Sequence, residues 1–301
     1  MDAPTPSQGS ARRAWTPPLP AASGFTHTMV RTRGLRTHVA SMGVGEPVVL
    51  LHGFPQHWWE WRAIAPAIAD QGYRVICPDL RGSGWTEADD PRFGPETHLD
   101  DLMAVLDALG VERAHFLTHD LGAISGMQLS YRAPERVRSM VQLAVPPGFM
   151  AFTPRVMPAF SHMPALIMHR PGRSLRSIFG PRYAARPMTE ATLDAYLRVH
   201  ARLEVEMAVA HLYRGMVVPM SLRLMRGVYR RMRLRPPTLV VFGRHDGPFA
   251  EPIARHICRA HDQHADRFEL AFVDDAAHFI PDDAPDAVVR LALDWFRAEG
   301  Q

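Results

Sequence analysis

The sequence lacks several features that define whole classes of protein. It contains no lysine, so all 34 of its basic residues are arginine, which we attribute to codon bias. No apolar run approaches the roughly 18 residues that a membrane-spanning helix needs. With 34 basic and 31 acidic residues the net charge is only +3, and a nucleic-acid-binding protein would show a larger, clustered basic excess. These absences argue against an integral membrane protein and against a nucleic-acid partner.

Cysteine is also scarce. Cys77 and Cys258 are too few for a disulfide framework, and they lack the spacing of metal ligands. Both lie in apolar stretches, where cysteine is typically a small core residue. The first 15 residues contain no apolar segment of the kind that secretory signals carry. We therefore expect a reducing, cytoplasmic location.

What is present has the composition of a globular protein. Of 301 residues, 47% are hydrophobic and 22% are charged, values that exclude wholesale disorder. Residues 1–24 are rich in Pro, Ala and Ser and show no hydrophobic period, which predicts a disordered leader. From residue 25 onward, strand-like and helix-like patterns alternate. This alternation predicts a core at 25–147 and 237–301, with a helical insert at 148–236.

Six short apolar runs are typical of buried, mostly parallel strands. They lie at 48–51, 74–77, 114–117, 139–144, 239–242 and 268–273. Amphipathic helical patterns lie between them and are clearest at 99–109 and 287–296. The fold class predicted is therefore α/β, a mostly parallel central sheet with helices on both faces.

The insert at 148–236 breaks this alternation. It shows helical patterns punctuated by proline, and it holds ten of the sixteen methionines. An insert between two parallel strands lies at the carboxyl edge of the sheet, where open α/β sheets bind ligands. The methionines fit either an adaptable lipophilic pocket or the small core of the insert itself. Both interpretations remain open.

The clearest local motif occupies residues 117–123 (LTHDLGA), between an apolar run and a helical pattern. A small-x-nucleophile-x-small segment in this setting is a nucleophile elbow, which exposes one side chain at a helix N-terminus. The central residue here is Asp120. A carboxylate that attacks an ester merely exchanges acyl groups, whereas at a saturated carbon it displaces a leaving group and forms an alkyl ester. Asp120 therefore predicts epoxide opening or carbon–halogen cleavage.

Four further motifs accompany the elbow. They are 52–56 (HGFPQ), 79–84 (DLRGSG), 243–246 (GRHD) and 277–281 (AHFIP). With them, the chain from residue 25 to its C-terminus resembles the α/β-hydrolase superfamily, in its epoxide hydrolase and haloalkane dehalogenase branch. The resemblance implies an α/β-hydrolase fold in which the insert forms a helical cap. No metal or organic cofactor is expected, because nucleophile, base and oxyanion donors would all come from the protein.

The motifs complete a triad in the order nucleophile, acid, base. We expect Asp120 to attack carbon, His278 to deprotonate the water that hydrolyses the ester, and Asp246 to orient the imidazole. The expected oxyanion hole consists of the backbone N–H groups of Phe54 and Leu121. Rival residues, for which we expect loop or structural roles, are His119, His245, Asp274 and Asp275.

The leaving group separates epoxide from halide chemistry, because an alkoxide needs a proton donor. In the epoxide hydrolases, usually two cap tyrosines grip the ring oxygen, and Tyr213 in the segment 212–216 (LYRGM) matches one of them. The segment 164–170, where the other is expected, has no tyrosine, and His162 or His169 are candidate substitutes. Weaker tyrosine candidates are Tyr183, Tyr196 and Tyr229. Thr118 stands where the elbow usually has glycine, so we expect crowding beside the nucleophile.

These residues favour an epoxide hydrolase that acts on a small lipophilic epoxide. A haloalkane dehalogenase, or another α/β-hydrolase with an Asp nucleophile, is the alternative. Haloalkane dehalogenases usually carry tryptophan after the nucleophile, where this chain has Leu121. A catalytically silent, ligand-binding α/β-hydrolase is the second alternative. The basic and apolar segment 222–235 fits a solvated cap surface better than contact with anionic membranes. We expect a monomer or a homodimer.

Overall fold

The central sheet contains nine strands within residues 16–300, the part of the chain that the computed structural model describes. The strands are β1 (Thr26–Thr32), β2 (Leu35–Met42), β3 (Glu46–Leu51), β4 (Tyr73–Pro78), β5 (Glu87–Ala88), β6 (Ala114–His119), β7 (Val137–Leu143), β8 (Thr238–Gly243) and β9 (Phe268–Val273). Their order is β1-β2-β4-β3-β6-β7-β8-β9, and β5 pairs with β2. The pairs β1–β2, β2–β4 and β2–β5 are antiparallel, and all others are parallel. The predicted mostly parallel sheet is confirmed, and the six predicted runs fall in β3, β4 and β6–β9.

Helices cover both faces of this sheet. They are α1 (Ile64–Ala69), α2 (Thr97–Ala108), α3 (Asp120–Arg132), α4 (Met163–Ile167), α5 (Glu190–Leu197), α6 (Leu203–Leu212), α7 (Val218–Met225), α8 (Glu251–Cys258), α9 (His261–His264), α10 (Ile280–Asp283) and α11 (Pro285–Gly300). Successive residues of β3 point to opposite faces. Val48 and Leu50 pack in the core layer of α1 and α11, whereas Val49 and Leu51 pack in the layer of α2, α3 and the cap.

The insert forms a cap of short helices between β7 and β8. It comprises α4 to α7 with intervening 3₁₀ turns, and its helical segments span 154–231, inside the predicted bounds. Polar contacts hold it against the core at the carboxyl edge of the sheet. The Tyr196 hydroxyl donates to Asp282 at 2.9 Å and accepts from Arg62 at 3.0 Å. The cap residue His200 donates from Nε2 to the carbonyl of Pro55 at 3.2 Å.

The segment that precedes β1 packs against the core. The indole N–H of Trp85 donates to the carbonyl of Pro17 at 2.8 Å, and that of Trp59 donates to Ala21 at 3.0 Å. Residues 16–24 therefore do not belong to a disordered leader, and that part of the prediction is wrong. The sequence did not reveal this order, because the segment is held by backbone carbonyl groups that accept hydrogen bonds from the two indoles. Such contacts leave no hydrophobic period in the sequence. The remainder of the predicted leader, residues 1–15, lies outside the described residues.

The cysteines are core residues, as the sequence predicts. Cys77 and Cys258 are both buried and free. Within residues 16–300, no helix is both long enough and apolar enough to cross a lipid bilayer. The same part of the chain holds no group of three or more His, Cys, Asp or Glu side chains arranged around a metal position.

Candidate active site

Asp120 lies at the sharp turn between β6 and α3. Its φ of 44° is in the left-handed region, which a side-chain-bearing residue adopts only when its surroundings enforce it. Two contacts enforce it here: the N–H of Gly122 donates to the carbonyl of His52 at 3.0 Å, and a Cβ atom at Gly122 would lie 2.1 Å from the carbonyl oxygen of Leu51. The turn therefore needs glycine at 122 and places the Asp120 carboxylate at the N-terminus of α3.

Thr118, two residues before the nucleophile, is fully buried. Its hydroxyl donates to the carbonyl of Val141 at 3.3 Å. A Cβ atom built at Gly126 of α3 would lie only 2.9 Å from the Thr118 methyl group. The crowding expected from a β-branched residue in the elbow is therefore accommodated, because the facing helix position has no side chain.

The structure brings the three predicted triad residues together. Asp120 Oδ1 lies 3.7 Å from His278 Nε2, and Asp246 Oδ2 lies 3.4 Å from His278 Nδ1. Asp246 is fully buried, and it follows β8 as predicted. The imidazole thus lies between two carboxylates, of which one faces the cavity and the other faces the interior.

The rival residues lie elsewhere. Asp274 pairs with Arg244, and Asp275 lies 4.0 Å from Arg186, in each case with an exposed carboxylate. His245 is exposed in the loop after β8. The structure therefore gives the His278 imidazole no carboxylate from its own loop.

The two carboxylates dominate the protonation of the imidazole. Burial alone would lower the pKa of His278, but the neighbouring carboxylates of Asp120 and Asp246 raise it to about 10. Burial alone would raise the pKa of Asp120, but His278 and the N–H of Phe54 hold it well below its usual value. At neutral pH the free site therefore contains a carboxylate anion at 120 and an imidazolium at 278.

The predicted oxyanion donors border the nucleophile. The N–H of Phe54 donates to Asp120 Oδ2 at 2.9 Å. The N–H of Leu121 belongs to the first turn of α3, where backbone N–H groups have no acceptor within the helix. The Phe54 donor therefore lies at an oxygen of the Asp120 carboxyl group, and the Leu121 donor lies in the helical turn that begins at Asp120.

A buried contact between a carboxyl group and an imidazole lies behind the nucleophile, and no sequence motif indicated it. Glu60 Oε1 lies 2.5 Å from His119 Nδ1, and both side chains are fully buried. Glu60 Oε2 accepts from the N–H of Gly53, and His119 Nε2 donates to the carbonyl of His278 at 2.9 Å. The pair therefore connects the loop of the oxyanion donor with the loop of the base, and it gives His119 a structural position.

A largely apolar cavity lies between the triad and the cap. Its volume is about 980 Å³, including its opening to solvent. Its polar side chains are Asp120, His162, Tyr183, Tyr213, Ser221 and His278. Of the cap methionines only Met150 and Met163 line it, whereas Met216 and Met220 are buried in the core layer next to it. Some methionines of the insert therefore line the pocket and others fill the core beside it, whereas Met157, Met168, Met207, Met225 and Met232 are exposed.

Two tyrosines and one histidine of the cap face the nucleophile across this cavity. The Tyr213 ring packs 5.4 Å from the Phe54 ring and 6.0 Å from the His162 ring. Burial, and then the charge of Asp120, raise the pKa of Tyr213 well above its usual value, so its hydroxyl remains protonated. Tyr183, a weaker candidate in the sequence, lines the same cavity, and its hydroxyl lies 3.4 Å from His162 Nδ1.

The other candidates named from sequence do not line the cavity. Tyr196 contacts Arg62 and Asp282 beneath the cap, and Tyr229 packs on Tyr131 with a ring separation of 4.8 Å. His169 is buried outside the cavity lining. Position along the chain did not separate Tyr183 from these residues, because Tyr183 lies in an irregular turn between cap helices, which has no period to show where its side chain points.

Comparison with known proteins shows which proteins this chain is similar to. The α/β-hydrolase fold family matches residues 46–163. Epoxide hydrolase 2 of Siraitia grosvenorii is 40% identical over 121 residues, which cover 40% of this chain and 38% of that protein. An AB hydrolase superfamily protein of Bacillus subtilis is 26% identical over 300 residues, which cover 91% of this chain and 99% of that protein.

Structural similarity extends over nearly the whole chain. The crystal structure of an epoxide hydrolase from Vigna radiata superposes with a TM-score of 0.76 at 23% sequence identity, covering 93% of this chain and 99% of that one. At this identity the likeness concerns the fold. The chain matches about two fifths of the length of the first curated relatives. The chain therefore has the α/β-hydrolase fold, and the proteins that it is similar to include epoxide hydrolases.

Proposed function

We propose that this protein hydrolyses a lipophilic epoxide to a vicinal diol. One observation carries the proposal: a carboxylate, rather than a hydroxyl, stands at the nucleophile elbow and faces a cap tyrosine across an apolar cavity. Ester chemistry gains nothing from a carboxylate nucleophile, whereas a strained saturated carbon accepts one. The similarity to epoxide hydrolases supports the same assignment.

In the first step, Asp120 attacks a ring carbon. An electron pair of its carboxylate forms the new C–O bond, and the pair of the broken ring bond goes to the epoxide oxygen. That oxygen takes the hydroxyl proton of Tyr213, whose raised pKa keeps this proton available at neutral pH. The products of this step are an alkyl ester on Asp120 and a tyrosinate at 213.

Ester formation prepares the base for the second step. It removes the negative charge 3.7 Å from His278 Nε2, so the pKa of the imidazole falls. The imidazolium then returns a proton to Tyr213 through solvent and becomes neutral. Asp246, 3.4 Å from Nδ1, continues to orient the ring.

Water then hydrolyses the ester. His278 accepts a proton from the water as it attacks the carboxyl carbon, and the N–H groups of Phe54 and Leu121 stabilise the oxyanion. Collapse of the tetrahedral species expels the diol, which takes the proton from His278. The regenerated Asp120 carboxyl group then passes its own proton to His278, which restores the starting charges.

We propose Tyr183 as the second donor to the ring oxygen. Its hydroxyl borders the cavity and is 3.4 Å from His162 Nδ1, a long hydrogen bond that an epoxide oxygen can replace. Burial lowers the pKa of His162, so its neutral ring is an acceptor at neutral pH. Tyr183→Phe should therefore slow ring opening more than His162→Gln does, and the reverse order would assign the donor to His162.

Isotope labelling tests the mechanism. In a single turnover with enzyme in excess in oxygen-18 water, label should enter the Asp120 carboxylate and not the diol. His278→Gln should accumulate an ester, seen as a mass increase equal to the epoxide. His245→Gln, which changes an exposed neighbour of the triad acid, is the matched control and should turn over without an adduct.

Other outcomes of this experiment overturn the proposal in distinguishable ways. Label in the diol of the first turnover would mean direct attack by water. Halide release from haloalkanes without diol formation would mean a dehalogenase. Thermal stabilisation by an epoxide that stays intact would mean a silent binding protein.

We also propose a cytoplasmic location. Cys77 and Cys258 are buried free thiols, which need no oxidising compartment. Cell fractionation should recover the protein with cytoplasmic markers, and recovery from the extracellular medium would contradict this proposal.

A further inference from the structure

The end of the cap exposes apolar and basic side chains side by side. Four apolar side chains are between 39% and 42% exposed: Leu222, Met225, Val228 and Met232. Four exposed arginines alternate with them: Arg226, Arg230, Arg231 and Arg235. We call these eight residues the 222–235 surface. Apolar side chains of this size are typically covered in a soluble protein when they cluster.

The charge of this surface is not neutralised. Within residues 16–300, no acidic side chain lies within ion-pair distance of its four arginines. Two neighbouring arginines are paired, since Arg223 lies 3.0 Å from Glu96 and Arg233 contacts Asp266. Four positive charges therefore remain for an external anionic partner.

A groove adjoins the same surface at the seam between cap and core. Arg223, Val228 and Met232 line it from the cap, and Glu96 and Arg132 line it from the core. Arg132 is exposed at the end of α3. Beside the Arg223–Glu96 pair, the groove thus combines apolar walls with the guanidinium group of Arg132, which suits a phosphate that is attached to an apolar chain.

The 222–235 surface lies on the outer side of the active-site wall. Along the π-helical turn Tyr213–Val217 and α7, the side chains of Val217, Ser221 and Leu224 line the catalytic cavity. Leu222 and Met225 of the same helix face solvent. One short helix therefore separates the cavity from this surface.

We propose that the 222–235 surface docks on lipid bilayers that contain anionic lipids. Exposed apolar side chains insert among the headgroups, and arginines contact lipid phosphates, as on an interfacial amphipathic helix. Docking brings the wall of the cavity to the phase in which lipophilic compounds concentrate. Binding to the bilayer does not depend on turnover, so this proposal and the proposed activity can fail separately.

Co-sedimentation with vesicles tests the proposal. The protein should pellet with phosphatidylglycerol-containing vesicles at low salt, and binding should fall as salt screens the charges. Phosphatidylcholine vesicles should bind it far more weakly. In a cap variant, Arg226→Gln, Arg230→Gln and Arg231→Gln together should weaken binding about 100-fold, about fivefold for each arginine near the surface.

A core variant provides the matched control. Arg31→Gln, Arg33→Gln and Arg290→Gln remove the same charge from exposed core positions and should leave binding unchanged. Unchanged circular-dichroism melting shows that each variant folds. The proposal is overturned if anionic vesicles bind no protein at low salt, or if both variants lose binding equally. It is also overturned if the protein sediments as a dimer that Leu222→Ser with Met225→Ser dissociates, because the surface is then a subunit interface.

Discussion

Replacing Asp120 by asparagine should lower the pKa of His278 by about 3 units. The change removes one negative charge while it keeps the shape of the side chain and its contact with the N–H of Phe54. The pKa of His278 is raised to about 10 because the carboxylates of Asp120 and Asp246 both lie beside the imidazole. The variant therefore isolates the contribution of the nucleophile to the protonation of the base.

The magnitude follows from one distance. Two unit charges 3.7 Å apart, the separation of Asp120 Oδ1 and His278 Nε2, attract by about 4.5 kcal/mol at an effective dielectric constant of about 20. Each pKa unit corresponds to about 1.36 kcal/mol, so the loss is about 3 units. The pKa of His278 should therefore fall from about 10 to about 7.

Histidine NMR titration measures this change. The His278 resonance is assigned by its absence from a His278→Gln spectrum, and its titration is compared between the unmodified protein and the Asp120→Asn variant. Asp274→Asn, which changes an exposed carboxylate paired with Arg244, is the control and should leave the pKa within about half a unit. A pKa that stays near 10 in the Asp120→Asn variant would refute the electrostatic argument.

Three further predictions follow from the site. Because the folded-state pKa of His278 is raised to about 10, its stabilising contribution is complete below pH 6.5 and is lost as pH rises to about 10. Urea unfolding should show this decline, and a flat profile would contradict it. Tyr213→Phe should slow ester formation by about 100-fold or more, because it removes the proton donor to the ring oxygen. Tyr229→Phe, which lies outside the cavity, should leave the rate unchanged. If the two variants form the ester at the same rate, Tyr213 is not the proton donor. Gly126→Ala should lower the free energy of unfolding, because its methyl group would meet the Thr118 methyl. Adding Thr118→Ser should restore part of that stability, with a coupling energy of about 0.5–3 kcal/mol in a double-mutant cycle. If the two effects simply add, the Thr118 methyl is not what excludes a side chain at position 126.

The nucleophile elbow was predictable because its determinants are local. The elbow at Asp120 depends on a strand, a tight turn and a glycine within five residues, and each leaves a mark in the sequence. Asp246 and His278 follow short apolar strands whose order in a parallel sheet sets where their loops lie. Those strands limit where the two loops lie, but Asp246 and His278 themselves were singled out by the motifs that the chain shares with the α/β-hydrolases.

The remaining features depend on contacts between distant segments. Tyr183 reaches the cavity through the packing of an irregular cap segment, and the carbonyl of Tyr183 accepts the N–H of His278 at 2.9 Å. Glu60 is an acidic residue among tryptophans, and only the fold shows that it meets His119 in the interior. The segment 16–24 contacts two tryptophans that lie 38 and 68 residues further along the chain. Contacts between residues so far apart leave no helical or strand periodicity in the sequence, so the sequence alone did not indicate them.

The charges at the site also order the two halves of the proposed reaction. While Asp120 is free, its carboxylate keeps His278 protonated up to a pKa of about 10, and a protonated imidazole cannot activate water. The base therefore becomes effective only after the nucleophile has been consumed by ester formation, when one of its two carboxylate partners is neutral. Water activation is thus suppressed during the stage at which direct attack on the epoxide would compete with Asp120. The close approach of nucleophile and base accordingly does more than shorten a proton transfer, because it couples the state of the base to the covalent state of the enzyme.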